Sequence, residues 1–142
     1  MRISKVIERW FDVPNDPDKS RLKIKHLNPG EIQDIFDQVY KQEVEYVKGE
    51  KGKMEPRFSQ KNNLKLDRKL TFTSVVVAWE NMFDNKDQKM KCTPGNVERA
   101  YKEIEGFAEM VNGFKATLAA DIKEEREDQK KNLKSSASGP EK

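Results

Sequence analysis

The chain has 142 residues, of which 35% are hydrophobic and 37% charged, with a formal charge of +3, one cysteine and one histidine. That is the length of one domain with a modest core under a solvated surface. A lone Cys92 excludes an internal disulfide, and one Cys with one His excludes a structural zinc site, which normally takes four such ligands. The longest apolar run, from Val75 to Trp79, is too short to cross a bilayer, and charged residues follow Met1 where a signal peptide has an apolar stretch. A cytoplasmic, cofactor-free protein with no membrane segment is the expectation.

In chain order, Trp10 to Val13 and Arg21 to Leu27 flank a stretch holding Pro14, Asn15, Asp16, Pro17 and Asp18. The second run alternates apolar and basic, and the middle has turn chemistry, so the pair reads as a β-hairpin, with Ile3 and Val6 as candidates to extend its first arm. A lone hairpin is marginal in water and must pack on helices. The first helix opens with Asn28 as cap, Pro29 at the first position and Glu31 reaching back. Its stripe of Ile32, Ile35, Phe36, Val39, Tyr40, Val44 and Val47 predicts a helix running to about Gly49.

Residues 49–63 have two glycines, a proline and no period, and read as a long loop. From Leu64 through Leu66, Leu70, Val76, Val77, Trp79 and Met82 to Phe83 the spacing favours a helix, although Thr71 to Val77 is locally rich in β-branched residues. Asp84 to Asp87 reads as a turn; the glycine and glutamate of an EF-hand loop are missing there. Thr93 and Pro94 start another helix, with Val97, Ala100, Tyr101 and Ile104 on one face, and Gly106 breaks it. The last helix carries Phe107, Met110, Val111, Phe114, Leu118 and Ile122, then only charged and polar residues to Lys131. The tail from Asn132 has a disordered composition.

Few residues here have the setting of a catalytic group. His26 shares a strand face with Leu22 and Ile24, which suits a half-buried strand residue. No serine, cysteine or second histidine has the context of a nucleophile with its base. The carboxylates Glu124, Glu125, Glu127 and Asp128 sit among lysines on an exposed helix, and the pairs Glu43/Glu45 and Asp84/Asp87 need no metal. The glycines near residue 50 lack Walker spacing. Residues 48–69 hold eight basic and three acidic residues, with Phe58 among them. A solvated loop accounts for that excess; nucleic-acid binding is the alternative, although no helix shows the basic face of a groove-reading module. The Phe/Met stripe of the last helix is read first as core. Phe107, Met110, Phe114, Leu118 and Ile122 are also the candidate partner-binding residues, Leu118 and Ile122 foremost, because Met and aromatics suit adaptable surfaces.

The order of these features resembles the tail-assembly chaperones of long-tailed phages and prophages. The resemblance runs through Val13-Pro14, the strand from Leu22 to Leu27, the opening Asn28-Pro29-Gly30-Glu31, and Val77 to Asp84. It continues through Thr93-Pro94-Gly95-Asn96-Val97 and a charged helix closing on Lys131-Asn132. Family members tend to carry a glycine in the turn after the Trp, and residues 85–89 have none. The resemblance implies a non-enzymatic protein that coats the elongated tape-measure protein until tail-tube subunits assemble around it. It also implies action in the bacterial cytoplasm, possible self-association and, in some members, a longer frameshifted form. A structural connector or tail-completion protein is the other phage reading. The expected architecture is α+β, mostly α: a single domain over residues 1–131 with an N-terminal β-hairpin on a bundle of about four helices, and a disordered tail over 132–142.

Overall fold

Alternating side chains in two short segments place one face of a strand inside and leave the other wet. The computed structural model describes residues 1–137. In it β1 (Glu8–Asp12) pairs antiparallel with β2 (Arg21–Lys25), and Phe11 lies opposite Leu22 and Arg9 opposite Ile24. Leu22 and Ile24 are fully buried. The other face of the hairpin is wet: Lys23 pairs with Glu8 at 3.1 Å, and the Arg21 guanidinium lies 4.9 Å from the centre of the Trp10 ring. The connecting turn is held by the Asp16 carboxylate, which accepts from the backbone N–H groups of Asp18 and Ser20. Ile3 and Val6 are exposed and lie outside β1.

The first helix, α1 (Pro29–Val39), has the capping box expected of its sequence, with Asn28 and Glu31 each accepting from the other's backbone N–H. It stops at Val39, ten residues short of the expected end near Gly49. The chain turns directly into β3 (Tyr40–Lys48), which pairs along its whole length with β4 (Met54–Asn62) as a separate two-stranded sheet. Tyr40, Val44 and Val47 satisfy a helical period, but Tyr40, Val44 and Tyr46 equally satisfy a period of two. Hydrogen bonding to residues 54–62 decides in favour of the strand. The expected loop over 49–63 is therefore mostly strand. Its turn is short: Gly49 N–H donates to the Lys53 carbonyl at 2.8 Å, and Gly52 N–H to the Gly49 carbonyl at 3.0 Å. Gly52 has φ +72°, the left-handed position that such a three-residue hairpin loop reserves for glycine.

The helix expected from Leu64 to Phe83 also divides. Residues Leu64–Val75 form α2, and Val76–Glu80 form β5, which joins the opposite edge of β2 with Trp79 beside Leu22. The β-branched run thus supplies a third strand to the N-terminal hairpin, in the order β1-β2-β5. A turn at Asp84 follows, its carboxylate accepting from the N–H groups of Lys86 and Gln88. Those two backbone donors hold the Asp84 carboxyl below its ordinary range.

Thr93 caps α3 (Pro94–Glu103), and Gly106 at φ +77° separates it from α4 (Phe107–Ala137). The tail expected to be unstructured from Asn132 is helical through Ala137; its remaining residues, 138–142, lie outside the described residues. Among the described residues four helices thus accompany the N-terminal hairpin, an α+β fold that is mostly α. The core gathers Leu22, Ile24, Phe72, Val75, Val76, Trp79, Val97, Phe107, Val111 and Leu118. The Trp79 indole N–H is satisfied by the Met90 carbonyl at 2.7 Å. Leu22→Ala removes a fully enclosed side chain from the centre of this cluster, so urea denaturation is expected to show a loss of about 2–5 kcal/mol.

Candidate protein-binding surface

The phase of the β3–β4 ladder sorts its side chains into two unlike faces. Because Gly49 and Lys53 form a hydrogen-bonded pair, alternate pairs further along are not hydrogen-bonded. Those are Lys48 with Met54, Tyr46 with Pro56 and Val44 with Phe58. They share one face and stand closer together than the intervening pairs. The opposite face carries Glu45 across from Arg57 and Val47 across from Glu55. Pro56 lacks an N–H, yet it falls where its nitrogen points to the free edge, so the ladder loses nothing.

The first face is apolar and uncovered. Val44 is 48% exposed, Tyr46 64%, Met54 62% and Phe58 63%. A two-stranded sheet gains independent stability from packing on a third element, and this face has none among the described residues. At the base of the hairpin the apolar surface continues onto α1. The Tyr40 and Phe36 rings meet with centroids 4.4 Å apart, and Ile32 and Phe36 remain about half exposed.

Behind these rings lies a cleft of about 420 Å³ between α1, α2 and α4. Val75 and Leu118 line it from the core, Ile32, Ile35 and Phe36 from α1, while His26, Asp67, Thr71 and Lys115 supply polar groups. Its size and apolar lining with a few polar groups are those of a site for a large side chain or small ligand. Lys25 also reaches it, but its ammonium is engaged by Glu31 at 2.7 Å, which holds the Glu31 carboxyl below its ordinary range.

The stripe of α4 takes a different part. Phe107, Leu118 and Ile122 are buried, and Met110 and Phe114 are half-buried against the same core, with Phe114 stacked on Phe11 at 4.7 Å. The stripe is core. Leu118 and Ile122, singled out from the sequence as the foremost docking residues, face inward because α4 packs across the sheet, where Arg9 of β1 also pairs with Asp121. Only Leu118 touches the cleft, as part of its lining. The docking candidates legible in the structure are on α1 and the hairpin instead. Their signal in the sequence is the alternation of Val44 and Tyr46, then Met54, Pro56 and Phe58, about a glycine-containing turn.

His26 is half-buried just beyond β2, its N–H bonded to the Ile7 carbonyl. Cys92 lies 3.9 Å from the Val76 carbonyl, and burial pushes its thiol above the ordinary value, the reverse of an activated thiolate. Among the described residues no group of three or more His, Cys, Asp or Glu side chains is placed to hold a metal ion. Among them, too, no helix is long and apolar enough to cross a membrane. The basic excess of residues 48–69 is divided between the hairpin and α2, and Lys69 is drawn to Glu98 of α3 at 3.6 Å. Comparison with family models, with curated proteins and with solved structures finds no match for this chain.

Because the hairpin face is solvated, the double substitution Tyr46→Ser with Phe58→Ser is expected to change unfolding stability by less than about 1 kcal/mol. The same variant loses most of the binding of an apolar fluorescent dye, read by titration. Cys92 is expected to react with iodoacetamide at pH 8 more slowly in the native chain than in urea, since a raised thiol pKa leaves less thiolate at that pH.

Proposed function

We propose that this chain is a non-enzymatic tail-assembly chaperone of a long-tailed phage. In this reading it acts in the bacterial cytoplasm, binding the tape-measure protein and keeping it soluble until tail-tube subunits surround it. The observation that carries the proposal is the uncovered apolar face of β3 and β4, joined through Phe36 and Tyr40 to the cleft. A holdase for an elongated helical client needs an apolar surface of its own, since covering the client's stripe gains roughly 25 cal/mol per Å² removed from water. Exposed apolar patches of this kind on a soluble domain mark interaction surfaces. The order of sequence features described above adds the identity of the client. Self-association of the chaperone along the client belongs to the same proposal.

Co-expression with the tape-measure protein tests the reading. The wild-type chain is expected to keep that protein in the soluble fraction and to co-purify with it, and the Tyr46→Ser, Phe58→Ser variant to lose both effects. An equally insoluble tape-measure protein with and without the chain overturns the proposal. Retention of the chain in finished particles overturns it in favour of a connector, and recovery of DNA or RNA in its place favours a nucleic-acid-binding regulator.

A further inference from the structure

The apolar surface has a cation at each end. Lys48 lies on the same face as Tyr46 and Val44, opposite Met54 and next to the turn. At the other end Lys115 and His26 stand at the cleft, with Lys115 half-buried on α4. Among the described residues neither Lys48 nor Lys115 forms an ion pair, whereas Lys25, Lys23, Lys69 and Lys102 do. Asp67 is the acidic residue of the cleft, and its carboxylate accepts the Thr71 hydroxyl at 3.2 Å. Between the two cations the face presents Val44, Tyr46, Pro56 and Phe58, without a charged side chain among the residues whose placement is described.

These dimensions define an occupant. From Lys48 to Tyr40, which lines the cleft together with Lys115, the strand rises roughly 26 Å, at about 3.3 Å per residue. Two strands about 4.8 Å apart make a bed matching the roughly 10 Å width of a helix. An α-helix of that length has about 18 residues, or five turns. Strand addition at the outer edge of β4 is disfavoured, because Pro56 offers no donor there.

We propose that this surface docks an acidic amphipathic helix of about five turns, its apolar stripe lying on Val44, Tyr46 and Phe58 and a carboxylate at each end meeting Lys48 and Lys115. A large apolar side chain near the Lys115 end enters the cleft beside Phe36 and Leu118. The inference rests on the reading of the chain as a binding protein, and it adds where the partner lies and which charge pattern it carries.

Isothermal titration of the full chain with two synthetic helices tests it. Both are 18-residue peptides by design (about 27 Å when helical) with one identical apolar stripe; one has glutamates at both ends and the other lysines. The glutamate-ended peptide is expected to bind about tenfold more tightly at low salt, a gap that narrows as salt is raised. Lys48→Glu, an exposed substitution, is expected to shrink or reverse the preference, and Lys115→Gln to shrink it. Tyr46→Ser with Phe58→Ser is expected to abolish binding of both peptides. Equal affinity for the two peptides overturns the charge pattern. Binding that survives the Tyr46 and Phe58 substitutions overturns the location, and absence of any binding overturns the inference whole. Each of these failures leaves the chaperone reading to its own test, which measures solubility of the tape-measure protein and not affinity for a peptide.

Discussion

Burial of the β2 strand organises this molecule. Leu22 and Ile24 are wholly enclosed, and enclosing them requires three separate parts of the chain to converge. β1 arrives through a local turn and β5 from more than fifty residues away, each satisfying one edge of β2, while α4 lies over the apolar face. The backbone groups of a buried strand must be paired on both sides, because an unpaired one costs as much as a lost hydrogen bond. That requirement draws the chain from Val76 onward out of the helix and into the sheet. Trp79, Met82 and the turn at Asp84 follow, and with them the placement of α3 and α4.

The hairpin of β3 and β4 stands apart from this arrangement. It shares no ladder with the three-stranded sheet and leaves its apolar face in water. Its polar face is conventional, with Glu45 across from Arg57. Two principles pull in opposite directions here. Exposed Val, Tyr, Met and Phe are unfavourable, but a strand pair with a free apolar face is ready to bind without first reorganising. Under the proposed binding role the tension is resolved by keeping the face exposed until a partner covers it. Pro56 limits the hazard on one side, since it removes a donor from the open edge of β4. The placement of α1 serves the same end: its capping box fixes the helix start, and Phe36 then meets Tyr40 at the junction of cleft and hairpin.

What could be read from the residues in advance was whatever local chemistry controls. The N-terminal hairpin followed from the alternation of Leu22 and Ile24 and from the Pro/Asp turn. The starts of α1 and α3 followed from Asn28-Pro29 and Thr93-Pro94, and the break between α3 and α4 from Gly106. Each of these is decided within a few residues by a side chain that satisfies a nearby backbone group or by a backbone angle that glycine tolerates. The core role of Phe107 and Val111 was legible too, because a helical stripe of large apolar residues packs most readily into a core.

The ends of elements and the site were decided only by the fold. Val44 and Val47 fit a helix as well as a strand, and so do the residues from Val75 to Trp79. In both places the deciding term is hydrogen bonding to a distant segment, residues 54–62 in one case and β2 in the other. The site followed the same logic. Leu118 and Ile122 share a stripe with Phe107, and no local rule says how far along α4 the covering sheet extends. Val44 and Phe58 become a surface only when a ladder brings them side by side and no other element lies over them. Local sequence therefore determined where helices and turns begin, since capping and turn energies are short-ranged. Tertiary structure decided which apolar residues are enclosed and which stay open to solvent, since burial depends on what the rest of the chain brings near.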